Sequence, residues 1–423
     1  MLIELSLAYL RERPLITALN TLLLALGVGV IVLLLLVSER LEQRLTRDAA
    51  GIDLVIGAKG SPLQLILSSV YHVDIPTGNI PFEEVERWRH HDLVEAVIPL
   101  ALGDSLGSFR IVGSEPAYPE HYGAEFAEGR YWQAPLEAVL GASVAAKTGL
   151  AVGDRFAGNH GLAPGGPAHA DHPYTVVGIL TPTGSIIDRL VLTGIDSIWR
   201  SHGLIDDIGD GDDGHGDAGP DVDHHEEDTA AEASSGKSTL SPPAVTALLV
   251  TYRTPLAAVQ LPPLVNRTPG LQAAAPAWEM ARLLALIGVG VNTLRGFGLV
   301  LMAAAALSLF VALTTALQAR RHDLAVMRTL GASPGTLWRQ LLLEGALLAA
   351  LGTVLGVLLG HVAAGLLALV SPDAEALGLR SLHIRVEELY VVALALLTGL
   401  AAAMIPALQA YRTDIVRLLA SGR

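Results

Sequence analysis

Four stretches of the chain, residues 16–37, 297–317, 345–370 and 389–408, contain no Asp, Glu, Lys or Arg. The hydrocarbon layer of a bilayer is about 30 Å thick and takes roughly 20 apolar residues of helix to cross. Each stretch reaches that length. Across all 423 residues only 17% are charged against 51% hydrophobic, a balance foreign to soluble domains. The pattern predicts an α-helical membrane protein with four transmembrane helices. The first run is too long for the apolar part of a signal peptide, and Val37-Ser38-Glu39-Arg40 offers no small-residue cleavage site. It is therefore expected to stay as an anchor. The chain has no Cys, which excludes disulfides and thiolate metal sites.

Lys and Arg in short loops set the orientation of such helices. Arg320, Arg321, Arg328 and Arg339 lie between the second and third runs, Arg11 and Arg13 precede the first, and Arg412, Arg417 and Arg423 follow the last. The loop 371–388 has only Arg380 and Arg385, beside four acids. Both termini and the central loop are thus expected in the cytoplasm. Arg40, Arg44 and Arg47 on the other side run against the rule, but they alternate with Glu39, Glu42 and Asp48 and open a segment long enough to translocate regardless. The expected organisation is a cytoplasmic N-terminal helix and first span over 1–37, a large α+β extracytoplasmic domain over 38–296, and a second span over 297–317. A cytoplasmic loop (318–340), a third span (341–370), a short outer loop (371–388), a fourth span (389–408) and a tail (409–423) follow.

Within the outer segment, residues 38–50 and 277–293 have helical spacing and are expected to prolong the adjoining spans as stalks. "LVEAVIPLAL", "SFRIVGSE", "YTVVGIL", "RLVLTGI" and "TALLVTYR" read as short strands bounded by Gly, Pro and Asp. "PFEEVERWRHH" and "GASVAAKTGLAVGD" read as helices, the second stopped by Gly149. Residues 202–243 form a low-complexity insert. From 202 to 234 it holds 12 acids, four His and no Lys or Arg. It accounts for −12 of the formal −14, leaving about −2 for the rest of the chain. Imidazole with carboxylate suits Zn²⁺ and similar ions, which makes His202, His215, His224 and His225 candidate metal ligands. A Gly/Pro-rich loop adds His160, His169, Asp171 and His172. The irregular spacing predicts weak, multi-ion binding or, equally, a solvated acidic linker with no ligand role.

The segment "ARRHDLAVMRTLGASPGTLWRQ" separates the second and third runs. Leu324, Met327 and Leu330 recur every three residues and give one apolar face. Gly331 stands where a left-handed C′ residue would end the helix, and Ser333-Pro334 fit the N-cap and first position of the next one. A short amphipathic helix on the membrane surface is expected. Here the chain resembles the coupling region of MacB/FtsX-type ABC transporter permeases, with Arg320, Arg321, Asp323, Leu324, Val326, Met327, Arg328, Leu330, Gly331 and Ala332 on the family's pattern and Glu344 downstream. "SLAYLRERPLITALNTLLLALGVGVIV", "EGRYW", "EAVLGASVAAKTGLAVGDRF", "YTVVGILTPTGSIIDR" and "IPALQAYRTDIVRLLASG" resemble further parts of that family. Ile415 departs from it, since many members carry Pro after the Asp. "DLVIGAKGSPLQLILSSVYHVDIPTGNIP" looks like the mark of a narrower branch.

The resemblance implies a multi-pass permease of the bacterial inner membrane that does not hydrolyse ATP. A cytoplasmic ATPase would dock on Arg321, Asp323, Leu324, Met327, Arg328, Leu330 and Gly331, with Glu344 supporting. Two permeases would work as a pair, and a periplasmic partner protein would meet the outer domain. The other class of function consistent with the residues is a membrane-anchored metal sensor or scaffold whose insert is the working part. No nucleic-acid signature is present. "GAKGS" lacks the first glycine of a phosphate loop, and Ser68, Ser69, His72 and Asp74 lack a nucleophile-elbow motif. Within the four runs His361 is the one histidine or charged residue, read as a structural histidine bonded across helices. With no carboxylate inside the four runs, a proton-coupled carrier lacks its relay. Gly352, Gly356 and Gly360, spaced by four, suit close helix packing within the chain or in a dimer.

Overall fold

In the computed structural model, residues 14–161, 172–202, 243–319, 333–370 and 386–411 are described, with residues 4, 6, 8, 11 and 12 before them. The chain divides into two compact units. One comprises residues 1–44 and 282–423, the other residues 45–281.

Four helices dominate the first unit: α1 (Pro14–Asp48), α8 (Pro276–Ala319), α9 (Pro334–Val370) and α10 (Val386–Tyr411). All four are long and apolar enough to cross a membrane. In lipid, burying Leu against Leu gains little over leaving it in hydrocarbon, so association depends on backbones approaching closely. Glycine supplies the approach. A Cβ on Gly356 would lie 2.6 Å from Val28 Cβ and 2.8 Å from the Ala25 carbonyl oxygen. Gly352 meets Leu24 and Gly360 meets Val32 in the same way. The stripe 352–356–360 is therefore the packing face of α9 on α1 of the same chain. Gly27 and Gly298 give α1 and α8 a similar crossing, and Gly345 lets α9 reach Ala403 of α10. Two apolar clusters result, one around Val28, Val32, Met302, Ala349, Val391 and Ala395, the other around Leu313, Leu317, Leu341, Ala403 and Ala407.

The second unit is an α/β domain. Its strands are β1 (Leu54–Ala58), β2 (Ile80–Pro81), β3 (Val94–Leu106), β4 (Phe109–Gly113), β5 (Phe126–Gly129), β6 (Glu137–Leu140) and β7 (Arg155–Phe156). After these come β8 (Asn159–His160), β9 (Tyr174–Leu180), β10 (Leu190–Thr193), β11 (Ala244–Val245), β12 (Ala247–Tyr252) and β13 (Leu271–Ala274). Its helices are α2 (Pro62–Ser69), α3 (Glu83–Arg89), α4 (Ala117–His121), α5 (Ala142–Thr148), α6 (Ile195–Ser201) and α7 (Ala257–Arg267). The main sheet runs β13-β1-β12-β3-β4-β10-β6-β9-β5, with β7 on β9 and β8 on β3. Pairing is antiparallel except for β4–β10 and β6–β9. β3 joins the halves, because residues 94–100 pair with β12 and residues 101–106 with β4. Leu102 faces Val112 and Asp104 faces Ile111, so Gly103 is the extra residue of a bulge. The core holds Leu54, Ile56, Trp88, Leu140 and Tyr174. Every strand and helix expected in this region occurs. α5 stops at Gly149 (φ 73°), whose N–H returns to the Ala145 carbonyl. The composition did not reveal β1 and β13, which pair in the "DLVIGAKG" region.

A test of the glycine packing is the pair Gly356→Ala and Gly365→Ala. Gly365 has open space where its Cβ would go, so its variant should gain up to about 1 kcal/mol of helix propensity. The Gly356 variant should lose about 1–3 kcal/mol through overpacking, read as a lower unfolding midpoint in lipid discs.

Candidate functional site

The residues expected to meet an ATPase, Arg321, Asp323, Leu324, Met327, Arg328, Leu330 and Gly331, lie outside the described residues. Their frame is described. α8 ends at Ala319 and α9 begins at Pro334. Ser333 caps α9, its Oγ accepting the Thr336 N–H at 3.3 Å, as the Ser-Pro pair requires. Leu337 and Leu341 in the first turns are buried beside Leu313, Leu317 and Ala407, while Arg339 is exposed. Glu344 is only 4% exposed. It belongs to the interior of the helices, and a docking partner would feel it through its neighbours rather than touch it.

A second set of residues, unmarked in the sequence, holds the C-terminal end of α1. The last carbonyls of a helix have no partner within it. Here the second unit, to which residues 45–48 belong, supplies partners. Tyr71 Oη donates to the Leu45 carbonyl at 2.9 Å and Tyr122 Oη to the Asp48 carbonyl at 2.7 Å. The buried Asp48 carboxylate accepts the Ile186 N–H at 2.9 Å, and Arg47 donates to the Gly184 carbonyl at 3.1 Å. His121 Nε2 bonds the Ala50 carbonyl at 2.8 Å just beyond. Burial, then the negative Asp48, raises the hydroxyl pKa of both Tyr71 and Tyr122, so both stay neutral donors.

The branch motif builds β1, α2 and the loop after it. Ser61 caps α2 by accepting the Gln64 N–H, and the Gly60 N–H goes to Gln272. The amides of "GAKGS" are thus committed within the domain instead of cradling a phosphate. His72 has a left-handed backbone (φ 53°) and a buried ring, with Nε2 2.8 Å from Tyr118 Oη. Burial first, then the charges of Arg110 and Arg189, pull its pKa down to about 3. Arg110 fixes the loop by donating to the carbonyls of His72 and Asp74. Its own pKa falls to about 10 through burial, against the favourable charge of Asp74. Ser68 Oγ donates to the Leu65 carbonyl and the Asp74 carboxylate accepts the Ile75 N–H. Ser68, His72 and Asp74 therefore serve separate local contacts and form no triad. A cavity of about 520 Å³ opens beside this loop, lined by Ile75, Asn79, Gly103, Arg110, Trp199 and His202.

Of the candidate metal ligands, His169, His215, His224 and His225 lie outside the described residues. His172 precedes β9 and is half-buried. His202 sits directly after α6, with Nε2 3.2 Å from Asp104 Oδ1. The bulge makes this pair. A Cβ at position 103 would come within 2.9 Å of His202 Nε2, so a larger residue there would displace the ring. Ser201 Oγ donates to Asp104 Oδ2 at 2.9 Å. β8 pairs His160 with Asp104 in the sheet register. Asp104 thus lies beside His202 and opposite His160 in register, and no motif in the sequence marks it. Among the described residues, no group of three or more His, Asp or Glu gathers as a metal centre.

The fourth helix begins before the uncharged run 389–408. Glu388, which the sequence places at the end of the loop 371–388, lies in the first turn of α10 and is 1% exposed, with Oε1 3.7 Å from His361 Nε2 on α9. Its neighbour Glu387 is the one that is exposed.

The FtsX-like permease C-terminal family matches residues 295–415, and the MacB-like periplasmic core domain matches residues 17–215. Among solved structures, the periplasmic region of MacB from Actinobacillus actinomycetemcomitans is similar at 10% identity and TM-score 0.34, covering 57% of this chain and 98% of that one. The extracellular domain of the noncanonic ABC-type transporter YknZ from Gram-positive bacteria is similar at 10% identity and TM-score 0.29, covering 52% and 98%. No curated protein matches the chain.

The Asp104 pair has a pH signature. Hydrogen bonding to Asp104 holds the His202 pKa above its usual value in spite of burial. Its stabilisation is therefore complete below the unfolded value of about 6.5 and is lost as pH rises through the folded value. Asp104→Asn should remove that alkaline loss and return the His202 titration, followed by NMR, toward about 6.5. An unchanged titration would mean that Asp104 does not set it.

Proposed function

Because the chain belongs to the MacB/FtsX-type ABC transporter permeases, we propose that it is the membrane subunit of a complex whose cytoplasmic ATPase hydrolyses the nucleotide. In this reading the chain turns that hydrolysis into mechanical work by its outer domain on a cargo at the membrane surface. The observation that carries the reading is the grip on the last turn of α1. Tyr71, Tyr122, Arg47 and the Asp48 carboxylate fix the last turn of a 35-residue helix, residues 45–48, within the second unit. A helix held at its carbonyl end passes on displacement instead of fraying. Substrate passage between the helices is not required.

The orientation that goes with this function places both termini and residues 318–340 in the cytoplasm of a bacterial inner membrane. The ATPase would then dock on Arg321, Asp323, Leu324, Met327, Arg328 and Leu330. Two permeases would act as a pair, and a periplasmic protein would meet the outer domain. A link to divalent metal is favoured by one observation: His202, the first histidine of the acidic insert, is fixed on Asp104 opposite His160. The insert would then gather Zn²⁺ weakly from an ordered edge.

Met327→Asp with Leu330→Asp should abolish copurification of the ATPase and leave membrane insertion intact, since charges on that apolar face cost several kcal/mol to bury. Copurification at the wild-type level would remove the docking assignment. Calorimetric titration of the full chain with Zn²⁺ should show uptake that falls when residues 202–234 are deleted. Equal uptake with and without them would take the insert out of the function and leave the ATPase reading standing.

A further inference from the structure

His361 and Glu388 lie on two packed helices. The imidazole is 10% exposed and the carboxylate 1%. Nε2 of His361 and both carboxylate oxygens of Glu388 are buried and make no hydrogen bond. A charged or polar residue in such a place marks a functional site by default, and the geometry indicates what it holds. His361 Nδ1 is 3.1 Å from the Val357 carbonyl. A carbonyl can only accept, so Nδ1 carries hydrogen. In the neutral ring Nε2 is then a bare acceptor, turned toward another acceptor 3.7 Å away.

That arrangement asks for one positive species. With no proton on either group the pair is a buried anion, and with both groups protonated it is a buried cation. Each of those states carries a large desolvation cost. With one proton, on Nε2 or on the carboxyl, the pair is neutral overall. Among the described residues no hydrogen bond from another group compensates the pair. Residues 15–37 of α1 and 297–319 of α8 contain no titratable side chain. Glu387 and Tyr390 on α10 are exposed, and Glu39 near the end of α1 is half-buried and accepts a hydrogen bond from Gln43. Glu344 lies well before His361 on α9 and is engaged elsewhere. Among the described residues His361 is the titratable group that faces Glu388.

We propose that His361 and Glu388 together bind a single proton, and that parting α9 from α10 releases it to water, so that helix movement in this chain is proton-linked. The proton is gained and lost as such, with no other bond changed. By reciprocity, a proton that favours the packed helices is bound more tightly when they are packed. This inference stands apart from the ATPase reading and would survive its failure.

The test uses spin labels on cysteines placed at Leu366 and Leu394, exposed positions of α9 and α10, in the full chain in lipid discs. The chain has no other Cys. On the alkaline side the ratio of separated to packed helices should rise about tenfold per pH unit, the slope of one proton. Glu388→Gln should abolish that slope, because its amide can donate to Nε2 without titrating. If that variant fails to fold, His361→Leu with Glu388→Leu serves, since a well-packed apolar pair can replace a buried ionic one. The double variant should stay packed at every pH. A wild-type distance unchanged up to about pH 10, close to where Tyr and Lys titrate, would overturn the proposal. So would a variant that keeps the wild-type slope.

Discussion

Helices surrounded by hydrocarbon gain little by hiding apolar side chains from one another, so what holds them is the closeness of their backbones. In this chain that closeness is concentrated where α9 lays Gly352, Gly356 and Gly360 on Leu24, Val28 and Val32 of α1. At Gly356 and Gly360 a Cβ would meet backbone and a β-branched valine, and at Gly352 it would press on Leu24. The α1–α8 crossing at Gly27 and Gly298 and the α9–α10 contact at Gly345 follow the same rule. Where α9 packs on α10, one side chain of the first turn of α10 is removed from the surface. Glu388 is buried as a consequence of packing that its own sequence neighbourhood does not announce.

The α/β domain meets the opposite problem, with many polar backbone groups and a core to protect. It solves part of it with one long strand. β3 serves both halves of the sheet, and the bulge at Gly103 falls within the half that pairs with β4. The same missing Cβ makes room for His202 against Asp104. Elsewhere the domain spends its polar side chains on carbonyls that secondary structure leaves over. Tyr71 and Tyr122 close the end of α1, and Arg110 holds the left-handed turn at His72. In each case a buried donor answers an acceptor that would otherwise cost free energy.

Local patterns made much of this legible. Uncharged runs fixed four long helices, because length and apolarity are properties of a segment alone. Alternation and turn residues gave β9, β10 and β12, and Gly149 and Ser333 marked a helix end and a helix start through backbone preferences that need no distant partner. The glycines at spacing four announced a packing face, although only the fold assigned it to α1 instead of a second copy.

What the sequence by itself determined is therefore the set of elements: four helices apolar over membrane length, the strands between turn residues, and the caps. The tertiary structure alone decided which residues meet across distance. Asp104 with His202, Tyr71 with Leu45 and His361 with Glu388 are separated along the chain and linked by no periodicity. A side chain's solvent exposure depends on whatever packs over it, and Glu387 and Glu388 are identical by composition. Only the arrival of α9 makes one of them a surface charge and the other a buried one.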